Sequence, residues 1–426
     1  MKNYNNPPPS EWASLTNRPL TNHDDLVDSV NTIIRDVKLN GDDALIKYAK
    51  KYDDAELDSL AVSTNVIEAA ADKVSRELKQ AIQLAYNNIT KFHSTQLVDE
   101  EIIETMPGVK CWRKSVAIQK VGLYIPGGSA PLFSTVLMLG IPALIAGCSE
   151  IVLCTPPNNK GLIDSSILYA ANLVGIKKIY KVGGAQAIAA MTFGTTTIPA
   201  VYKIYGPGNQ YVTKAKEILQ LQGVAIDMPA GPSELLVVAD TSCNPKFVAA
   251  DLLSQAEHGV DSQVILLSDS AEVINICLSE IDIQIQNLPR QSIALEALRQ
   301  SKSIVFNTIN DAFNFSNIYA PEHLIIASAN ASIYVDKIVN AGSVFLGNYS
   351  CESAGDYASG TNHTLPTNGN AKSYSGVSVD SFVKKITFQE ITDKGIMNIG
   401  RTIEVMAEAE GLMGHKNAVT IRLNEK

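Results

Sequence analysis

The spacing of apolar positions changes near residue 116. Before it, DDLVDSVNTIIRDVKLNG, DDALIKYAKKYD and NVIEAAADKVSRELKQAIQLAYNNITKFH carry apolar residues three and four apart, with aspartates opening the first two segments and Gly41 closing the first. That spacing predicts amphipathic helices and a scaffolding role. From about Val116, short apolar runs mostly end in glycine or proline and lead into helical segments: VGLYIPGG, IVLCTPP, KIYKVGG, VYKIYGPGN, GVAIDMPAG and SELLVVAD. The alternation predicts a parallel sheet covered by helices, with ligands gathering at the carboxyl ends of its strands. A second series, SQVILLSD, KSIVFNT, HLIIAS and GSVFLG as strands with FVAADLLSQAE, AEVINICLSEI and SIYVDKIVNAG as helices, predicts a second α/β unit. From about Val377 onward, SFVKKITFQEIT and the helix-like IMNIGRTIEVMAEAEGLMGH read as an appendage.

No charged residue falls between Val121 and Ser149, yet Pro126, Pro131 and Pro142 with several glycines interrupt the stretch. It reads as buried strand, loop and helix rather than as a membrane span. A length of 426 residues fits two or more packed units. The net charge of -9 argues against general affinity for nucleic acid or anionic membrane, leaving a small molecule or a second copy of the chain as partner. Six cysteines without a CxxC pair predict reduced thiols in a cytoplasm and speak against a thiolate zinc site. The start, MKNYNNPPPSEW, lacks the apolar core of a secretory signal.

Candidate chemistry concentrates after residue 250. In DLLSQAEHGVDSQVILL a helix-like run ends with Gln255 and His258 three apart, so the amide oxygen and the imidazole can converge on one atom. His258, His323, His363 and His415 each stand beside another group able to do chemistry. Zinc takes imidazole nitrogen and carboxylate oxygen and in catalytic sites keeps one position open; Gln255, His258, Asp356 and His415 can supply such a set. The plainer alternatives are helix capping for Gln255 and each histidine, and Glu257 as the donor in place of Gln255. Glu322 and His323 suit the handling of two protons, provided both lie in a loop before the strand, as Pro321 allows; otherwise they are a solvated loop. GxGxxG and GxxxxGK[ST] are both absent, although KVGGAQAIAA and YGPGNQYVTKAK lead into helices whose amino ends favour anions.

The blocks VGLYIPGGSAPLFSTVLML, GGAQAIAA, IDMPAGPSE, DLLSQAEHG, APEHLII, SAGDYASGTNH and HKNAV together resemble the histidinol dehydrogenase family, from about Asp24 to Leu423. The resemblance implies one Zn2+ per subunit on Gln255, His258, Asp356 and His415, and NAD at Tyr124, Gln186 and Asn209. It implies Glu322 as activator of water and His323 as base. Ser233, Glu410 and His363, with His323 and the metal ligands, would contact L-histidinol, His363 having a structural role as its alternative. The implied reaction is a four-electron oxidation through L-histidinal to L-histidine in which no cysteine takes part.

The implied fold is α/β: two units with mainly parallel, incomplete Rossmann-like sheets, a helical amino-terminal scaffold and a carboxyl-terminal dimerisation appendage. The expected boundaries are an arm at 1–24, a metal and catalytic unit at 25–123 plus 235–376, a NAD unit at 124–234 and the appendage at 377–426, which would complete the partner's site in a cytoplasmic homodimer. Competing readings are a same-fold dehydrogenase for another small polar alcohol, a zinc hydrolase using Glu322, and a noncatalytic binding protein.

Overall fold

The computed structural model describes residues 1–18, 24–98, 100–127, 131–229 and 231–425. Both series of apolar runs form parallel sheets. The larger has six strands in the spatial order Lys2–Asn5, Lys302–Val305, Gln263–Ser268, Glu234–Ala239, His323–Ala327, Ser343–Leu346. The smaller has five, in the order Lys178–Lys181, Glu150–Thr155, Lys120–Tyr124, Lys203–Tyr205, Ala225–Ile226. Every neighbouring pair in both sheets is parallel. ELLVVA and QVILLS are buried at every position, which explains why they are continuous runs rather than alternating ones: helices cover both faces. Each large apolar side chain buried there contributes about 1.5–3 kcal/mol.

The uncharged stretch folds as read. Its strand is Lys120–Tyr124, and its helix Phe133–Ala146 is buried from Ser134 to Ala143 and closed by Gly147 at φ 85°. Residues 128–130 of its glycine turn, like Ala230 of IDMPAGPSE, lie outside the described residues. Among the described residues no helix is long and apolar enough to cross a membrane.

Local chemistry explains the departures in element boundaries. The run beginning NVIEAAADK is two helices, Thr64–Lys73 and Arg76–Ser94, because the Ser75 hydroxyl accepts the Leu78 N–H at 3.2 Å and starts a new helix against the apolar rhythm. Conversely, Gly41 (φ 50°) is non-helical and separates two helices within Asp24–Asp53, which meet there at a kink, as the spacing predicts. SIYVDKIVNAG, expected as an α-helix, is 3-10 over Ala331–Lys337; Ile333 and Val335 are exposed there, so no apolar stripe docks to hold an α-helix.

The expected grouping of units is rearranged by packing. Asp24–Asp53 lies on the helices Gly184–Phe193 and Gln210–Gln220, Thr64–Lys73 on Ser165–Leu173, and Arg76–Ser94 on Phe133–Ala146. The helical scaffold thus covers the smaller sheet, not the sheet of residues 235–376, because its apolar stripe, including Val30, Ile34 and Leu45, shares a core with the alanine-rich Gly184–Phe193 helix. The first residues are no free arm either. Lys2–Asn5 pairs with Lys302–Val305, and Trp12 is buried edge-on against Phe306 and Phe315, with ring centroids 5.5 and 6.0 Å away. Pro9 opens the Pro9–Leu15 helix, where a missing N–H costs nothing.

The appendage is tied in by a third sheet. Val383–Ile391 runs antiparallel to Val109–Ala117, which also pairs with Ile103–Met106. Beyond it, the helices Asp393–Ala409 and Met413–Asn424 pack mainly on each other.

Candidate active site

The two α/β units meet end to end. Glycine turns at the carboxyl ends of the smaller sheet face the amino ends of two strands in the larger, across a cavity of about 130 Å³ lined by Gly206, Pro207 and Gly208 on one side and Ser233, Glu322 and His363 on the other. The expectation that ligand groups gather at carboxyl ends therefore holds for one unit only. In the larger unit, Ser233–Glu234 and Glu322–His323 sit where strands begin.

The helix Ile309–Tyr319 stops at Ala320, which adopts the left-handed conformation (φ 54°), and Pro321 starts the loop to the next strand. Glu322 lies in that loop and His323 opens the strand, so the alternation of strand side chains does not separate them. Both are buried. Glu322 Oε2 accepts the Glu234 N–H at 2.9 Å, and His323 Nδ1 stands 3.3 Å from the Glu234 carbonyl oxygen. A carbonyl can only accept, so Nδ1 carries a proton. Nε2 of the same ring is buried without a hydrogen-bond partner among the described residues, 3.7 Å from Asp356 Oδ1.

Burial pushes the Glu322 carboxyl up to about 7 and that of Glu352 up to about 8, in both cases against the pull of His323. Burial opposes charge on His323, but Glu322, Glu352 and Asp356 outweigh it and raise the imidazole to about 10. Asp356 is lowered: its burial is overcome by the nearby His323.

Gln255 is the next-to-last residue of the helix Pro245–Ala256, with its side chain buried. The helix ends before His258, with Glu257 as its cap, but the turn continues far enough for the His258 N–H to reach the Gln255 carbonyl at 3.3 Å. His258, Glu352 and Asp356 each offer a ligand atom, all within 4.8 Å of one another. Glu352 was not singled out from the sequence. It stands four residues before Asp356 on the short helix Glu352–Tyr357, a spacing that puts both carboxylates on one face and was the available signal. Turned one way, the Gln255 amide donates to Glu352 Oε1 and accepts the Glu234 N–H at 2.9 Å; turned the other way, its oxygen faces that carboxylate oxygen. The first arrangement satisfies a metal-free site. The second needs a protonated Glu352 carboxyl or a cation between the two oxygens.

His363 lines the cavity and braces it: Nδ1 meets the Asp356 carbonyl at 3.0 Å, and Nε2 meets Thr135 Oγ1 at 3.3 Å. Ser233 is half-buried at the cavity wall. Glu410 and His415 are not brought to this cluster within the chain; both are exposed, at the junction of the last two helices.

On the opposite wall, the buried Tyr124 hydroxyl accepts the Gly184 N–H at 3.0 Å, and burial pushes the phenol up to about 12. Gln186 is buried in the first turn of the helix that Gly184 starts. Asn209 caps the following helix, its side-chain oxygen accepting from Tyr211 and Val212 N–H at 3.1 and 3.2 Å. Gly206 (φ 126°) is required at its turn, because a Cβ there would run into the Tyr124 carbonyl. A buried Lys216–Asp227 ion pair, which sequence reading missed, holds that turn at both polar atoms: Lys216 Nζ donates to the Gly206 carbonyl at 3.0 Å and Asp227 Oδ2 accepts its N–H at 2.8 Å. Cys154 is fully buried and burial pushes its thiol up, the opposite of a reactive thiolate; Cys111, Cys148 and Cys351 are half-buried.

This assembly has known relatives. Residues 16–423 match the family model described as histidinol dehydrogenase. A histidinol dehydrogenase of Bacteroides thetaiotaomicron is 56% identical over 424 residues, covering 100% of this chain and 99% of its own. One from Salmonella typhimurium is 50% identical over 424 residues, covering 99% and 97%. The crystal structure of histidinol dehydrogenase from Elizabethkingia anophelis is 62% identical and matches with a TM-score of 0.97 over 99% of this chain and 98% of that one. This chain therefore belongs to the histidinol dehydrogenase family of oxidoreductases.

Proposed function

We propose that the chain catalyses the NAD-dependent oxidation of L-histidinol through L-histidinal to L-histidine, at a site holding one zinc ion per subunit. One observation carries the reading: Glu322 and His323, held by a single residue, open onto the cluster of His258, Glu352 and Asp356 in a seam whose far wall is a set of glycine turns. A hydrolase built on the same carboxylates has no use for those turns.

The donor set fits zinc. It combines imidazole and carboxylate, and burial raises the carboxyls of Glu322 and Glu352, a cost that a bound cation would offset. His258 and Asp356 would ligate it, and Gln255 would join through its amide oxygen in the second of its two orientations. His415, and Glu410 as a substrate contact, would come from a second subunit. When bound, zinc supplies a fixed anchor for the imidazole and amino groups of the substrate, and NAD accepts the hydride.

The chain's own groups do the proton work. His323, with Nδ1 tied to the Glu234 carbonyl, would take the hydroxyl proton at Nε2 as hydride departs, once a bound cation offsets the carboxylates that otherwise hold the imidazole protonated. Glu322, with one oxygen tied to the Glu234 N–H, uses the other to draw a proton from the water adding to the aldehyde. Ser233 and His363 bound the substrate space. Tyr124, Gln186 and Asn209 line the NAD side, where Lys216 and Asp227 keep the Gly206 turn in shape for close approach of a flat cofactor. Such NAD-coupled biosynthetic chemistry suits the cytoplasm.

Zinc titration of chelator-treated protein tests the metal assignment. His258→Ala and Asp356→Ala are expected to weaken zinc binding by at least about 10- to 100-fold, the loss seen when even an outer partner of a ligand is removed. Unaltered zinc affinity in both would remove the cluster from the account.

A further inference from the structure

We propose that the Arg18–Glu234 ion pair positions Glu322 and His323 for reaction, an inference that rests on their catalytic reading above. Arg18 Nε and Nη2 donate to the two carboxylate oxygens of Glu234, each at 2.9 Å, across a sequence separation of 216 residues. Nη2 also donates to the Tyr319 carbonyl at 2.7 Å, and the guanidinium lies 3.7 Å from the centre of the Tyr319 ring. The Asn368 N–H adds a third bond to the carboxylate, on Oε1 at 2.9 Å.

The Glu234 side chain, only 1% exposed, is thus held by structural donors, while the backbone of the same residue holds both reacting groups: its N–H on Glu322 and its carbonyl on His323. Arg18 grips the other side as well. Tyr319 ends the helix three residues before Glu322, so one guanidinium spans the entries to both neighbouring strands and sets their relative placement.

Stability alone gives a poor reason for this pair. A buried ion pair is commonly no more stabilising than apolar residues of the same volume, whereas a two-pronged arginine–carboxylate contact fixes direction. Reacting groups need that fixity, since a misplacement of about 1 Å can cost about 100-fold in rate. Arg18 and Glu234 are positioning residues: they act through Glu322 and His323 and touch no reacting atom.

Single-turnover NADH formation from L-histidinol by zinc-loaded protein tests this in Glu234→Gln, Arg18→Met and Arg18→Lys, with Glu322→Gln and His323→Asn run alongside. In Glu234→Gln and Arg18→Met the rate is expected to fall about 10- to 100-fold, with KM for NAD and L-histidinol within about twofold of the parent and zinc content unchanged. Arg18→Lys, which keeps the charge but offers one prong, should recover part of that loss. A purely structural pair predicts a lowered Tm at parental rate. Glu234→Gln preserves side-chain volume, so it carries the test should Arg18→Met fail to fold. Parental rates in folded Glu234→Gln, a loss confined to KM, or lost zinc would each overturn the proposal. If His323→Asn is slowed in both NADH-forming phases and Glu322→Gln in the second while the ion-pair variants are not slowed, only the ion pair's role falls; if both controls form both NADH at the parental rate, the catalytic reading itself falls.

Discussion

Glu322→Gln is expected to let L-histidinol become L-histidinal while blocking the step to L-histidine. The carboxamide keeps the volume, and its oxygen can still accept the Glu234 N–H that holds Glu322 at 2.9 Å. What it loses is the ability to take a proton from water. Removing a positioned general base costs about 10²- to 10⁴-fold, about 2.7–5.5 kcal/mol of barrier. Burial holds the parental carboxyl near 7, a range suited to a base at neutral pH. Supplying L-histidinal directly, with NAD in excess, isolates the affected step: its oxidation should show the whole loss. L-histidinal oxidised at the parental rate would contradict the role of Glu322. His323→Asn, by contrast, should slow both steps, since His323 is the base proposed for each hydride transfer.

Mixing two inactive variants is expected to restore activity. Glu410 and His415 sit exposed on helices that pack mainly on each other, and the same segment leaves Met397, Val405, Met406, Leu412 and Met413 between 44% and 62% exposed. Beside the antiparallel sheet at its base lies a concavity of about 1000 Å³ with Trp112 and Phe388 in its lining. A second copy of the chain would cover these faces and bring His415 to His258 across the interface. In a mixed dimer of His258→Ala and His415→Ala, one site then collects both substitutions and the other neither. Equal mixing makes about half of the dimers mixed, so about one quarter of the parental sites should work after subunit exchange. Each variant alone should be inactive. No recovered activity in preparations shown by mass to contain mixed dimers would contradict shared sites.

The sequence disclosed the buried parallel strands, because continuous apolar runs between glycines and prolines admit few other folds, and Gln255, His258, Glu322, His323 and Asp356, each singled out in a short polar motif, lie together in the structure. Glu352 escaped because only Asp356 drew notice in its helix, although the four-residue spacing was in view. The Lys2–Asn5 strand escaped because KNYN is a polar edge with no apolar alternation. The antiparallel sheet, the Arg18–Glu234 contact and the packing of the scaffold on the smaller sheet join residues far apart in sequence. Nothing local encodes such pairings; they arise when whole elements bury their apolar faces. The same holds for Lys216 and Asp227, each unremarkable alone and meaningful only where they meet at the Gly206 turn.

The most direct test of the central claim is the amount of NADH formed per L-histidinol consumed to completion, in zinc-replete protein, after chelation, and after zinc is returned. The account predicts two NADH with zinc, none without it, and two again on restoration. One NADH per L-histidinol in zinc-replete protein, or two that persist after the metal is removed, would contradict it.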